Sequence, residues 1–302
     1  MSVPTVSFLV PTIGSSPCLP EVISALGREA TILGDVEIIV LDNASPCDLQ
    51  AEVGPELAAR CRFIRIEPRI PATASHQRLL DEAAATCVRL VHDDDVVESG
   101  STARMVDVIR GAPHLGGVMC LFRPVGPSQP ADGHHPPWLT LDDTIAYPSQ
   151  DRLLADTLAN YESFHWSASM INRSACHASP EAEDGIGFDD GFYLRAVAEA
   201  PWAVGHFIGA AILIADHSVS TRHGVRRGDS MAAACVSAGV RLRFLRGHPE
   251  QARSGTAIMF LLRRSFAAWR YAGSQRGPQL RPLLSLAATV SAAQFRLWLR
   301  RP

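Results

Sequence analysis

Residues 74–95, ASHQRLLDEAAATCVRLVHDDD, contain a helix-like segment, a short apolar run and three adjacent carboxylates. Four further short runs of apolar and β-branched residues lie along the chain: VSFLV (6–10), VEIIVL (36–41), RFIRI (62–66) and GGVMCLF (116–122). Helix-like stretches separate these runs, as at 18–30 and about 100–112. Strand, helix and strand at this spacing predict parallel strands joined by right-handed crossovers, and therefore an α/β fold.

Two of the apolar runs allow a finer prediction. The run at 36–41 is almost continuously apolar, which is typical of a strand covered on both faces and places it near the sheet centre. The later stretch 202–217 predicts one or two strands, with Gly205 and Gly209 as candidate breaks. Helices are expected at about 148–160 and from residue 189.

The composition is that of a globular protein kept in a reducing compartment. Of the 302 residues, 47% are apolar and 20% are charged, so a sizeable core can form. Seven cysteines are scattered without CxxC spacing, which argues against a disulfide framework or a zinc site. The N-terminus lacks the pattern of a signal peptide, and no apolar run reaches the length of a membrane span. We therefore expect a cytoplasmic protein.

The chain divides into three predicted parts: residues 1–122, residues 123–225 of the same domain, and a helical C-terminal extension (226–302). The Pro-rich segment 123–138 is expected to be a mobile loop near the site. The extension holds 14 arginines against Asp229 and Glu250. Its mixed apolar and basic residues favour packing against the preceding domain or against a second subunit in a homodimer. Peripheral contact with an anionic membrane, at the inner face of the cell membrane, is the alternative. The acidic front half argues against nucleic acid as a partner.

Polar residues follow three of the predicted strands: Pro11–Thr12, Asp42 and the run 93–95. Ligands gather at the carboxyl ends of strands in open α/β sheets, so these residues should line one crevice. Neither a dinucleotide fingerprint nor a P-loop is present to hold phosphate. Carboxylates suit Mg²⁺ or Mn²⁺, which would bind phosphate oxygens in turn. If the run is extended, Asp93 and Asp95 share one face; the alternative is a solvated acidic loop.

The sequence resembles the family 2 glycosyltransferases of GT-A fold. The likeness is carried by SFLVPTIGSSPCLPEVISAL, EIIVLDNAS and ASHQRLLDEAAATCVRLVHDDD over about residues 5–100, and continues more weakly through SASMINRSA and GIGFDDGFYLRAV. It implies a GT-A Rossmann-like, mostly parallel sheet flanked by helices. It implies that residues 1–122 form a nucleotide-sugar-binding half and residues 123–225 an acceptor-binding and catalytic half of the same domain. It also implies roles by position: Pro11, Thr12 and Asp42 at the nucleotide, Asp93 and Asp94 near ribose and phosphate, and Asp95 on the metal. Asn43, Gln77 and Thr86 depart from the family pattern.

Inverting transfer requires a base that takes the proton of the acceptor hydroxyl. The resemblance implies Asp190 in FDDGFYLRAV, while Asp184 and Asp189 stay as alternatives, and helix capping explains at least one of the pair equally well. His217 resembles the family's late metal-binding histidine, although a structural histidine is an equal alternative. Trp138 and Trp166 are candidates for stacking on a sugar, against the ordinary alternative of core packing.

These features predict a metal-dependent inverting glycosyltransferase with Mn²⁺ or Mg²⁺ as cofactor. Its donor is expected to be a UDP- or dTDP-linked sugar. Its acceptor is expected to be a hydroxyl group on a glycan, lipid-linked sugar or natural product. Two alternatives stay open at this point: a nucleotidyltransferase or phosphohydrolase that uses the same aspartates, and a sugar- or nucleotide-binding protein without turnover.

Overall fold

The computed structural model describes residues 3–125, 141–159, 165–213, 240–241 and 243–248. Its strands are β1 (Val6–Thr12), β2 (Val36–Asn43), β3 (Arg62–Ile66), β4 (Cys87–Leu90), β5 (Asp95–Val97), β6 (Gly117–Val125), β7 (Ile145–Ala146), β8 (Ser169–Asn172) and β9 (Trp202–Leu213). Its helices are α1 (Leu19–Leu33), α2 (Leu49–Val53), α3 (Pro55–Ala58), α4 (Ala72–Glu82), α5 (Ser101–Gly111), α6 (Gln150–Ala159) and α7 (Phe188–Glu199). Residues 240–241 and 243–247 are also helical.

The strands form one mixed sheet in the order β3-β2-β1-β4-β8-β6-β9-β5, with β7 paired to β9. Strands β3, β2, β1 and β4 are parallel to one another, and β6 is parallel to β9. Antiparallel pairs bring in β8, β5 and β7. The predicted α/β fold with a mostly parallel sheet flanked by helices is confirmed.

Strand β2 is covered on both faces as predicted, but it is the second strand from the edge and not central. Ile38 and Val40 pack into one hydrophobic cluster, whereas Ile39 and Leu41 pack into the other. Helices on both sides cover this strand although only β3 lies beyond it. An apolar run therefore reports burial of both faces and does not report the position of a strand in the sheet.

Two hydrophobic clusters, one on each side of the sheet, form the core. One cluster includes the buried faces of α1 and α5, whose apolar residues recur at helical spacing. The other includes residues of α4, α6 and α7, together with Val240, Phe244 and Leu245 from the C-terminal part of the chain. The helical residues at 240–247 are thus built into the core of the sheet domain.

Strand β9 is a single strand from Trp202 to Leu213, within the prediction of one or two strands, and neither candidate glycine ends it. The register against β6 shifts beside these glycines, because Cys120 pairs with Gly205, Leu121 with Ile208 and Phe122 with Ala210. A side chain at Gly205 would collide with Phe207, so glycine serves close packing there. Strand β6 also continues to Val125, three residues into the segment predicted as a loop; residues 126–138 of that segment lie outside the described residues.

Six cysteines in the described residues are free, which agrees with the predicted absence of a disulfide framework there. Among the helices that the structure describes, none combines the length and the apolar character needed to cross a bilayer.

Candidate active site

Strand register brings two of the predicted site residues, Thr12 and Asp42, into one row with Arg65. Thr12 on β1 lies opposite Asp42 on β2, and Asp42 lies opposite Arg65 on β3. All three stand at the carboxyl ends of parallel strands, where the sequence placed the ligand crevice. Pro11 precedes Thr12 on β1 opposite Leu41.

The carboxylate of Asp42 is buried and anchored by protein groups. Its Oδ1 accepts hydrogen bonds from the backbone N–H of Ser45 at 2.8 Å and from the Ser45 hydroxyl. Its Oδ2 accepts a hydrogen bond from Nη1 of Arg65 at 2.6 Å. Since a carboxylate oxygen has two lone pairs, Oδ2 keeps one for a ligand while Oδ1 is saturated.

A cavity of about 630 Å³ opens beside Arg65, between β3 and α4. Its walls mix apolar side chains with charged and amide groups that can donate and accept hydrogen bonds. The lining residues are Ile64, Arg65, Ile66, Glu67, Ile70, Ala74, Gln77, Arg78 and Asp81.

The acidic run is a turn and not an extended segment, so the predicted shared face of Asp93 and Asp95 was wrong. Asp93 and Asp94 form the turn, closed by a hydrogen bond from the Asp95 N–H to the His92 carbonyl at 3.2 Å. The Asp93 carboxylate accepts a hydrogen bond from the Thr12 hydroxyl, which ties the turn to β1. Burial raises the pKa of Asp93. The turn aims neighbouring carboxylates in different directions.

Asp95 begins β5 and is almost completely buried. Its Oδ2 accepts a hydrogen bond from the Ser167 hydroxyl at 2.6 Å, and its Oδ1 accepts one from the backbone N–H of Leu213 at 3.3 Å. Burial raises the pKa of this carboxyl to about 7, partly opposed by nearby His92. A cation would relieve the cost of keeping this buried group ionised.

Two histidines face the Asp95 carboxylate. Nδ1 of His92 and Nδ1 of His165 each lie 3.6 Å from Asp95 Oδ2. One ligand atom from each of the three residues lies within 4.8 Å of the others, a spacing that fits coordination of a single ion. Burial lowers the pKa of His92, which favours the neutral imidazole that a metal needs. The donor set of two imidazoles and one carboxylate therefore fits a divalent metal.

Sequence reasoning missed both histidines as ligands. His92 directly precedes the acidic run, and the turn at 93–94 brings its ring close to the carboxylate of Asp95, three residues later. A turn predicted within the acidic run would have indicated that His92 and Asp95 lie close together. His165 has no local signal, because a loop far along the chain brings it to the site. His217, the predicted metal ligand, lies outside the described residues.

Three further aspartates lie at and just before the start of α7. Asp189 accepts a hydrogen bond from the Asp190 N–H at 3.0 Å, which satisfies one of the free N–H groups of the first turn. Burial raises the pKa of Asp189 to about 7, and the neighbouring carboxylate of Asp190 adds to the effect. Asp190 accepts a hydrogen bond on Oδ2 from Nη1 of Arg241 at 2.9 Å.

Asp184 has a different environment from the pair at 189–190. It is almost fully buried and forms ion pairs with Arg195 at 2.8 Å and with Arg243 at 3.1 Å. Arg195 donates to its Oδ2 and Arg243 donates to its Oδ1, so both carboxylate oxygens are occupied and Asp184 is better explained as a structural ion-pair centre.

A chain of rings connects the histidine cluster to α7. The His76 ring lies 5.9 Å from that of His92 and 4.7 Å from that of Phe188, the first residue of α7. Trp166 packs against Phe192 at 4.3 Å between centroids and is 1% exposed, so it belongs to the core and is not a surface for stacking a sugar. Trp138 lies outside the described residues.

Comparison with solved structures shows the same fold in proteins that were solved in complex with UDP, UDP-GlcNAc or GDP-Man. S. aureus TarS 1-349 in complex with UDP-GlcNAc superposes with a TM-score of 0.67 at 14% identity, over 95% of this chain and 81% of that one. The same protein in complex with UDP gives 0.63 at 15% identity, over 92% and 77%. The mannosyltransferase PcManGT from Pyrobaculum calidifontis, in complex with GDP-Man and Mn²⁺, gives 0.54 at 14% identity, over 98% and 83%. The chain therefore has the GT-A fold.

A scan against protein-family models and a search of curated proteins gave no match to this chain.

Proposed function

We propose that the chain is a metal-dependent glycosyltransferase that moves a sugar, with inversion at the anomeric carbon, from a nucleoside diphosphate sugar to a hydroxyl acceptor. The observation that carries the proposal is the Asp95 cluster with two histidines at the carboxyl edge of a sheet of GT-A fold. The structures of similar fold support it, because their ligands are UDP, UDP-GlcNAc and GDP-Man.

The donor would lie across the ends of β1, β2 and β4. Asp42, held by Ser45 and Arg65, offers its remaining lone pair to the nucleoside. The cavity beside Arg65 is large enough to hold a base. The turn at Asp93 and Asp94 would face the ribose and the phosphates. Pro11 and Thr12 would support this turn from β1, where Thr12 already bonds to Asp93.

The metal would be held by Asp95, His92 and His165. Bound there, a divalent ion supplies neutralisation of the charge that develops on the leaving diphosphate. Imidazole nitrogens suit Mn²⁺ better than Mg²⁺, which prefers oxygen ligands. We therefore assign Mn²⁺ as the preferred cofactor.

Asp190 would act as the base. Its carboxylate takes the proton of the acceptor hydroxyl while that oxygen bonds to the anomeric carbon, and the bond to the diphosphate breaks with its electron pair leaving on the diphosphate. Asp189 accepts a hydrogen bond from the Asp190 N–H and so satisfies a free N–H group at the start of α7. One residue thus caps and the other accepts the proton.

The test is the variant Asp190→Asn, assayed for release of nucleoside diphosphate from UDP-, dTDP- and GDP-linked sugars with Mn²⁺. We expect the rate to fall about 100-fold or more, while the Kd of the donor changes less than about twofold, because the base acts only in the chemical step. The matched control is Asp151→Asn, an exposed aspartate in the first turn of α6, which should keep the wild-type rate.

Other products would contradict the proposal. Pyrophosphate or free phosphate in place of nucleoside diphosphate would indicate the nucleotidyltransferase or phosphohydrolase. Donor binding that depends on metal, without turnover in either wild type or variant, would indicate a binding protein.

A further inference from the structure

Arg241 reaches from the C-terminal part of the chain to the candidate base. Its side chain is 1% exposed. Nη1 donates to Asp190 Oδ2 at 2.9 Å, Nε donates to the Leu158 carbonyl at 3.1 Å, and Nη2 donates to the Thr157 carbonyl at 3.1 Å. A buried guanidinium is costly unless its N–H groups are bonded, so this arrangement fixes the group in one place.

The two carbonyls belong to the last turn of α6, where helix carbonyls lack partners within the helix. A cation is favoured at this end of a helix by the helix dipole. Arg241 therefore joins the end of α6 to the start of α7 through a single planar group. Because the fork of N–H groups is rigid, the carbonyls of α6 dictate where the Asp190 carboxylate is held.

The backbone around Arg241 is equally well anchored. Val240, Phe244 and Leu245 are buried in the cluster that also contains Leu158 and Phe192. Arg243, on the exposed side, pairs with Asp184 at 3.1 Å. These contacts hold the segment 240–248 against both helices that Arg241 joins.

We propose that Arg241 is a positioning residue for the Asp190 carboxylate, which makes the segment 240–248 part of the active site. This inference rests on the proposed function, in which Asp190 accepts the proton. Arg241 holds Oδ2, which leaves Oδ1 for the acceptor hydroxyl. The basic C-terminal extension then contributes to catalysis in addition to any packing or surface role.

The charge of Arg241 acts on a pair of carboxylates. The titratable groups around that pair include Tyr193 on α7, which interacts electrostatically with Asp189, and His76 of α4, whose ring contacts Phe188. Arg241 is the cation that faces the pair from the C-terminal segment, and it lowers the pKa of Asp189 against the stronger effect of burial. Without the guanidinium, the pair should take up a proton at higher pH.

The test uses the full chain with Mn²⁺ and four donors: UDP-GlcNAc, UDP-glucose, dTDP-glucose and GDP-mannose. Release of nucleoside diphosphate, with water as acceptor, is followed against pH for the donor that reacts fastest. For Arg241→Met we expect kcat to fall at least about 10-fold, KM to stay within about threefold, and the acidic limb of the kcat profile to move up by about one pH unit. Arg241→Lys should return the acidic limb of the kcat profile to its wild-type pH but should recover only part of kcat. A compact ammonium group lacks the planar fork that reaches both α6 carbonyls and Asp190.

Arg246→Gln is the matched control, since Arg246 is exposed on the same helical segment and should leave kcat and the pH profile unchanged. Wild-type kcat and an unmoved acidic limb in Arg241→Met would overturn the inference. If Arg241→Met does not fold, a wild-type kcat in folded Arg241→Lys would also overturn the inference. Turnover that is lost in Asp190→Asn but kept in Arg241→Met overturns the positioning role alone. No nucleoside diphosphate from wild type with any donor overturns the proposed function and this inference together.

Discussion

Asp95 shows how single residues prepare the candidate metal site. Ser167 bonds to its Oδ2 at 2.6 Å, and the main-chain carbonyl of Ser167 in turn accepts a hydrogen bond from Nη2 of buried Arg89 at 2.7 Å. Groups that orient a ligand in this way tune the affinity for the metal. The carboxylate is thus set in place by a network that reaches from β5 to β4.

The two histidines should control which metal binds. We expect His165→Ala to lower Mn²⁺ affinity by at least about 10-fold, because one of three protein ligands is lost, and to affect weaker Mg²⁺ binding less. Calorimetric titration of each ion into metal-free protein measures both. His177→Ala is the control, since His177 is exposed and pairs with Glu199 away from the cluster. Unchanged Mn²⁺ affinity in His165→Ala would remove this histidine from the ligand set.

Asp189 should make stability depend on pH in a definite direction. Its pKa is raised to about 7 in the folded chain, whereas an aspartate in an unfolded chain titrates at about 3.9. Between these values the folded state binds more protons than the unfolded state, so the free energy of unfolding falls as pH rises. Asp189→Asn should therefore become more stable relative to wild type from pH 4 to pH 7.5 in urea denaturation. Parallel pH curves for the two proteins, or a larger effect from exposed Asp151→Asn, would contradict this assignment.

At the scale of elements, the position of helix α7 depends on Gly191. Buried Asp184 pairs with Arg195 at 2.8 Å and lies directly against the backbone of Gly191. A methyl group at residue 191 would overlap the Asp184 carboxylate, so neither the helix nor the ion pair could keep its place. The position of the acidic helix start is therefore linked to this close contact.

We expect Gly191→Ala to lower the free energy of unfolding by about 1–3 kcal/mol, the usual cost of overpacking. Gly111→Ala in α5 is the control: a side chain there meets no atom within 4 Å, and alanine should stabilise the helix by about 0.5–1 kcal/mol. Denaturation by urea compares the two. If both alanines stabilise the protein, the close contact with Asp184 does not constrain α7.

Most elements were predictable because their signals are local. Helices α1, α4, α5 and α6 and strands β1 to β4 follow from apolar periodicity and lie within a few residues of the predicted bounds. The predictions failed where contacts with other parts of the chain decide the local structure. The Phe207 ring, two residues further along β9, and Cys120 of β6 occupy the space of a side chain at Gly205, so this candidate break is a packing position inside a continuous strand. The position of β2 in the sheet depends on strand order, which an apolar run does not encode.

At the scale of the whole molecule, the sheet assembles a site from distant parts of the chain. Parallel strand ends were enough to predict that Thr12, Asp42 and the acidic run meet. His165 and Arg241 could not be predicted, because each reaches the site through a tertiary contact that leaves no periodic or motif signal nearby. The strand-end residues of the proposed donor site could therefore be predicted from sequence, whereas the histidines of the candidate metal site and the contact of Arg241 with the proposed base required the fold.

The central claim is that this edge of the sheet binds a nucleoside diphosphate through a metal on Asp95. Calorimetric titration of UDP, dTDP and GDP into metal-free protein, with and without Mn²⁺, tests it on wild type and on Asp95→Ala. We predict binding that requires Mn²⁺, prefers one base, and weakens at least about 10-fold in Asp95→Ala. Nucleotide binding that is equal with and without Mn²⁺, or equal in Asp95→Ala, or absent under every condition, would contradict the claim.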